Sequence, residues 1–201
     1  MDDSTIVHPD GRENFARIVR RLPRETTLRR TADDADPVER VIVANADQLA
    51  VVVASTNPQP RTGLIDRALI AAFDAGITPL LIVTKTDLAP ATELTALYEP
   101  LGLPVVEVAN KEVTTHIRGL FAGHRTVLIG HSGVGKSTLV NALVPDAERT
   151  TGGVNEVTGK GRHTSTSVVS LPFTDHGLII DTPGIRSFGL AHVDLDRVIH
   201  A

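Results

Sequence analysis

The sequence predicts an α/β fold in which a mostly parallel sheet carries helices on both faces, and three observations predict it. Its most apolar runs, such as LAVVVA at 49–54 and LLIV at 80–83, are short and lack polar alternation, as expected of strands covered on both sides. Segments with helical spacing fall between them. A glycine-rich stretch, GHSGVGKST at 130–138, joins one β-prone run to a helix start.

Taken in order, the chain opens with an arginine-rich segment and then TADDADP (Thr31 to Pro37), a polar linker. Residues 1–37 therefore read as a basic N-terminal segment, and 38–201 as the main domain. Val41 to Ala44 and Leu49 to Ala54 predict strands. From Thr62 to Ala75, the apolar residues Leu64, Ile65, Ala68, Leu69 and Ala72 share one helical face, and Gly76 supplies a stop. Pro79 to Val83 predicts a strand, Glu93 to Tyr98 a helix, Val105 to Val108 a strand and Val113 to Phe121 a short helix. Thr126 to Ile129 is the strand entering the glycine-rich turn, and Ser137 to Val144 the helix leaving it. A Gly/Thr-rich stretch, Thr150 to Thr166, precedes strands at Ser167 to Leu171 and Leu178 to Ile180, the second ending in Asp-Thr-Pro-Gly.

Composition excludes several classes. With 201 residues, 41% of them hydrophobic and 22% charged, the chain suits one α/β domain and part of a second. The absence of cysteine excludes disulfides and cysteine-ligated zinc, and the eight histidines show no ligand spacing. No apolar run approaches the roughly 20 residues of a membrane span, and MDDSTIVHPDGREN lacks the regions of a signal peptide. A cytoplasmic monomer without membrane partners is expected. A formal net charge of −4 argues against a nucleic-acid binder as a whole. Locally, however, Arg12, Arg17, Arg20, Arg21, Arg24, Arg29 and Arg30 face only Glu13 and Glu25. That segment is either a solvated face or a contact for an RNA backbone; with Phe15 its sole aromatic, base stacking is not indicated.

The glycine-rich stretch carries the strongest signal. Gly130, Gly135, Lys136 and Ser137 satisfy G-x-x-x-x-G-K-[ST] in the strand–turn–helix context that the motif requires. Small residues let the amides of Ser132, Gly133, Val134, Gly135, Lys136, Ser137 and Thr138 turn toward a polyphosphate at a helix N-terminus. Lys136 is expected to reach the β- and γ-phosphates and Ser137 to hold Mg²⁺. Asp181, at the end of an apolar strand, suits the Mg²⁺ shell, and the Gly184 amide suits the γ-phosphate; the plainer reading of DTPG is a turn.

Thr84-Lys85-Thr86-Asp87 ends another apolar strand and resembles the N-K-x-D guanine motif of GTPases, in which a carboxylate accepts two hydrogen bonds from the base edge. Asp87 would then select guanine over adenine. Thr84 stands where that motif has asparagine, at the expected cost of one supporting hydrogen bond. Ala109 and Asn110, in VANK, occupy the place of the S-A-K loop. In ordinary GTPases the phosphate motifs precede the guanine motif; here TKTD precedes GHSGVGKST and DTPG follows both. Joining the old ends and cutting after the DTPG strand gives this order without altering the sheet, so a circularly permuted P-loop GTPase fold is expected.

Permuted order together with ANADQ (44–48) and GRHTST (161–166) resembles the RsgA family of small-ribosomal-subunit-dependent GTPases, over roughly Leu22 to His200. The resemblance implies GTP and GDP as ligands, Mg²⁺ as cofactor, and the small ribosomal subunit and its rRNA as partners. It also implies an N-terminal OB-fold, of which the first 30 residues supply only the last strands, and a C-terminal zinc domain for which this segment has no cysteine. A truncated member is expected. By the same resemblance Gly161 to Thr166 is switch I, with Thr164 and Thr166 both candidates for the Mg²⁺ shell. Ile185 stands where many GTPases place a water-orienting glutamine, so His163 is the candidate for that role, against the plainer reading of a solvated histidine.

The expected chemistry is Mg²⁺-assisted attack of water on the γ-phosphate, with Lys136 and loop amides stabilising charge. Three other classes remain open at this point: a guanine-nucleotide switch with negligible turnover, an ATP-dependent P-loop enzyme with a relaxed base pocket, and an RNA-binding module using the arginine segment.

Overall fold

A computed structural model describes residues 3–7, 13–17, 23–35, 38–145, 168–185, 187–193 and 198. Switch I as read from sequence, with His163, Thr164 and Thr166, lies outside them.

Two antiparallel ribbons come first: β1 (Asp3–Val7) with β2 (Glu13–Arg17), and β3 (Thr27–Arg30) with β4 (Arg40–Ala44). The main body follows as β5 (Gln48–Ala54), α1 (Thr62–Asp74), β6 (Thr78–Thr84), α2 (Thr92–Tyr98), β7 (Val105–Val108), α3 (Thr115–Phe121), β8 (Arg125–Ile129), α4 (Lys136–Leu143), β9 (Val169–Pro172) and β10 (Leu178–Asp181). Its sheet runs β7-β6-β5-β8-β10-β9, parallel except where β9 meets β10.

Alternation within each strand divides the core in two. Leu49, Val51 and Val53 of β5 face the layer formed by α1 and α2, where Ile65, Ala68, Leu69, Leu94 and Tyr98 are buried. Ala50, Val52 and Ala54 face the opposite layer, with Ile117 and Phe121 of α3 and Leu139, Val140 and Leu143 of α4. Every residue of β5 is buried, which is why its sequence shows no polar alternation. Full burial of each leucine or valine side chain in it stabilises the fold by about 1.5–3 kcal/mol, as an upper estimate.

Val41 to Ala44 is a strand, but it joins the β3 ribbon and not the parallel sheet. Only Asn45, Ala46 and Asp47 separate it from β5, too few for a parallel crossover. Asn45 adopts φ 61°, its amide donates to the Thr26 carbonyl at 2.9 Å, and its Oδ1 accepts from the Glu25 amide at 2.9 Å.

The ANADQ stretch is thereby explained as a clamp. Asp47 accepts from the Arg125 amide and guanidinium at 3.1–3.2 Å and sits 3.0 Å from His124 Nδ1. Burial opposes ionisation of Asp47, yet Arg125 and His124 together hold its carboxyl below the ordinary value. Gln48 accepts from Thr126 Oγ1 at 2.7 Å and donates to the Leu120 carbonyl at 3.1 Å. These contacts set the register of β5 against β8, the strand that leads into GHSGVGKST.

Among the described residues, no helix is long and apolar enough to cross a membrane, and no group of three or more His, Cys, Asp or Glu is placed to hold a metal ion.

Candidate functional site

Parallel strands β5, β6, β8 and β10 bring their C-terminal ends to one edge of the sheet, where open α/β folds form ligand crevices. Four loops meet there: the turn after β8, the turn after β10, TKTD after β6 and VANK after β7.

The β8 turn is shaped by close approach. A Cβ on Gly130 would lie 2.4 Å from the Val52 carbonyl, so only glycine lets β8 leave the sheet there. Gly135 caps α4 at φ 92°, a conformation that glycine adopts without strain, and a Cβ there would press on Thr84 Oγ1 at 3.4 Å. No side chain caps α4 and no acidic residue occupies its first turn, so its positive end is not neutralised from within the helix and suits an anion. Ser132 and Gly133 are exposed, Ser137 and Thr138 are half-buried, and Val134 is turned into the core. Gly130→Ala is expected to destabilise the protein by about 1–3 kcal/mol through this collision, as read by denaturant unfolding. Parental stability of that variant would show that the loop relaxes freely.

Lys136 points across the loop mouth, where Nζ donates to the Asp181 carboxylate and to the Thr182 carbonyl; the lysine is 9% exposed and Asp181 2%. Asp181 lies beside Leu128 in the β10–β8 register, which places the DTPG turn next to the glycine-rich one. Thr182 Oγ1 donates to the Leu128 carbonyl at 2.7 Å, and the Ile185 amide to the Gly130 carbonyl at 3.0 Å. A Cβ on Gly184 would stand 3.2 Å from the Ser132 amide. Gly130, Ser132, Lys136, Asp181 and Gly184, five of the sequence candidates, are thus brought together.

The TKTD loop is fastened to the same turn. Thr84 Oγ1 donates to the Val134 carbonyl at 2.5 Å and lies 3.1 Å from the Val53 carbonyl. Threonine at the asparagine position therefore makes its own link to the glycine-rich turn. Lys85, at φ 61°, lays Nζ against the Gly133 carbonyl at 2.9 Å and also donates to the Asn57 carbonyl. Asp87 is exposed, and its Oδ1 accepts from the Asn110 amide at 2.9 Å. That bond brings VANK to TKTD; Asn110 and Lys111 hold the turn in left-handed conformations at φ 51° and 62°, and Ala109 is exposed beside them.

Sequence reasoning missed three supporting groups. Ser55 Oγ donates to the Lys85 carbonyl at 2.8 Å, Asn57 supplies a carbonyl to Lys85, and Thr182 supplies one to Lys136. Thr182 was visible within DTPG. Ser55 and Asn57 follow β5 with no motif to mark them.

The RsgA GTPase family model matches residues 21–191. A small ribosomal subunit biogenesis GTPase RsgA of Pseudomonas aeruginosa (strain LESB58) is 42% identical over 201 residues, covering 96% of this chain and 58% of its own length. Its counterpart in Pseudomonas syringae pv. syringae (strain B728a) is 43% identical, covering 94% and 56%. The crystal structure of YjeQ from Thermotoga maritima matches with a TM-score of 0.60 at 26% identity, over 90% of this chain and 59% of that one. YloQ, a circularly permuted GTPase, also has a TM-score of 0.60, at 25% identity over 98% and 60%. The chain thus spans little more than half the length of the curated relatives it matches.

Proposed function

The chain belongs to the RsgA GTPase family, and from that premise we propose that it binds and hydrolyses GTP in the cytoplasm, as a monomer acting in maturation of the small ribosomal subunit and contacting its rRNA. The observation that carries this reading is the physical joining of TKTD to the phosphate loop, through Thr84 to Val134 and Lys85 to Gly133. In this reading it ties the loop that would recognise guanine to the cradle that would hold the polyphosphate.

The residues present suit a guanine nucleotide with magnesium. The cradle at Gly130 and Gly184 has no room for a Cβ that leaves its neighbours in place, and a lysine and a buried aspartate stand at its mouth. Asp87 would accept from the guanine N1–H and 2-amino group, Thr84 and Lys85 would hold that loop in place, and Ala109 and Asn110 would border the base. The amides of Ser132 to Thr138 and of Gly184 would bind phosphate oxygens. Magnesium, held by Ser137, Asp181 and either Thr164 or Thr166, would neutralise charge on the β- and γ-phosphates. Water attacks the γ-phosphorus, the β–γ bridging oxygen leaves with GDP, and Lys136 with the loop amides stabilises the charge that develops. His163 is assigned to orienting that water; hydrolysis at the parental rate by His163→Ala would remove it from the role. We assign residues 38–201 to the GTPase unit and 1–37 to a basic segment related to an OB-fold.

One observation favours a second reading, a guanine-nucleotide switch with negligible intrinsic turnover. Ile185 is 8% exposed and packs into the core, so the position after Gly184 offers water no side chain. Phosphate release from GTP and from ATP, with and without purified small ribosomal subunits, tests both. Turnover confined to GTP and raised by the subunits is expected. Equal release from ATP would overturn the guanine assignment, and GDP binding without release would favour the switch.

A further inference from the structure

The segment that leaves DTPG does not run free. Ile185 and Phe188 insert into the core layer that also holds Leu28 of β3 and Ile65 and Leu69 of α1. Thr31, fully buried, pairs with Gly189 through both backbone hydrogen bonds, each 3.1 Å. The approach is close enough that a Cβ on Gly189 would fall 2.3 Å from Thr31 Oγ1. Arg30 donates to the Ser187 carbonyl at 3.3 Å.

One ion pair joins all three segments at this junction. Arg67 of α1 meets the Asp34 carboxylate with both terminal nitrogens, at 2.5 and 2.6 Å, and donates to the Phe188 carbonyl at 3.2 Å. Asp34 also accepts from the Leu190 amide at 3.0 Å. The Arg67 guanidinium, helped by that amide, holds the Asp34 carboxyl down at about 2, so the pair stays charged at neutral pH. The side chains are 40% and 56% exposed, and solvent screening leaves such a pair little influence on global stability. A fork that fixes three chain segments relative to one another acts on placement instead.

We infer that Asp34 and Arg67 are a positioning pair that couples the DTPG segment to the β3–β4 ribbon, so that the occupant of the phosphate site and the N-terminal ribbon sense one another. The inference rests on the proposed nucleotide site. Only four residues lie between Gly184, whose amide would face the γ-phosphate in the proposed site, and Gly189, whose backbone is bonded to Thr31. A shift at Gly184 on gain or loss of that phosphate has a short, well-packed route to the ribbon. Coupling is reciprocal: whatever holds the ribbon also biases the choice between GTP and GDP.

The test is the ratio of dissociation constants for GDP and a non-hydrolysable GTP analogue, measured on the parental chain, Asp34→Asn, Arg67→Gln and the double variant. Each single variant is expected to change the ratio by roughly 5-fold or more, near the lower end of typical coupling, and the double variant by no more than either single. Amide exchange at 27–31 and 40–44 of the parental chain is expected to differ between the two nucleotides, a readout that needs no variant. Unchanged ratios in the variants, additive effects in the double, or ribbon exchange indifferent to nucleotide would each overturn the coupling while leaving nucleotide binding intact. A parental chain that binds neither nucleotide would instead overturn the proposed function, and the coupling with it.

Discussion

Lys136→Ala is expected to lower kcat/KM for GTP by about a thousandfold or more. The ammonium is buried at the mouth of the glycine-rich turn, against the Asp181 carboxylate and the Thr182 carbonyl. Those oxygens hold it beside the cradle that would receive the β- and γ-phosphates. Removing one preorganised donor from a site of developing negative charge typically slows a reaction by roughly 10²–10³-fold, and a full cation in a water-poor site sits at or above that range. The same substitution deletes a charged partner of the buried Asp181, and breaking a buried ion pair costs on the order of 3–5 kcal/mol of stability. Thermal unfolding must therefore accompany the kinetics. Adding Asp181→Asn to Lys136→Ala is expected to recover part of the stability and none of the turnover. Hydrolysis near the parental rate by a folded Lys136→Ala protein would remove the lysine from the chemistry.

How much of this was legible beforehand depends on the range of the interaction. The parallel strands could be read because burial on both faces imposes a one-dimensional signature, as in LAVVVA of β5 and LLIV of β6. The glycine-rich turn could be read because its geometry demands glycine where a Cβ would strike backbone, as at Gly130 against Val52. The destination of Val41 to Ala44 could not, because a short β-branched run has the same appearance in a ribbon as in a sheet. What decided it was a left-handed Asn45 and a connection too short to cross over. The supports of the site were equally hidden. Ser55, Asn57, Asp34 and Arg67 act through contacts with residues far along the chain, and a contact such as Arg67 to Phe188 leaves no local pattern. Permuted order was legible for the opposite reason: each motif is local, so their sequence could be compared with the usual one before any strand was placed.

Asp87→Asn is expected to weaken GDP binding by about 10⁴-fold and to give measurable affinity for XDP, with ADP still excluded. Asp87 stands at the exposed end of the TKTD turn, with the Asn110 amide fixing one of its oxygens at 2.9 Å. An ionised carboxylate only accepts, and guanine presents two adjacent donors, N1–H and the 2-amino group. The asparagine amide keeps an oxygen to accept from one of them but turns an NH₂ toward the other. Two donors then face each other, and neither can be satisfied without water. Xanthine carries a carbonyl oxygen in place of the 2-amino group, so the same NH₂ finds an acceptor there. The fold has no reason to suffer, because the asparagine oxygen can still accept from the Asn110 amide. Loss of GDP affinity with unchanged thermal unfolding would therefore report on base reading alone. The decisive comparison is competition by GDP, XDP and ADP against one labelled nucleotide, on the parental and variant proteins. If GDP competes equally well on both, Asp87 serves the VANK turn through Asn110 and does not read the base. If XDP gains where GDP loses, the carboxylate contacts the 2-position of the purine, and the TKTD turn, tied to the phosphate loop through Thr84, is the guanine half of one continuous site.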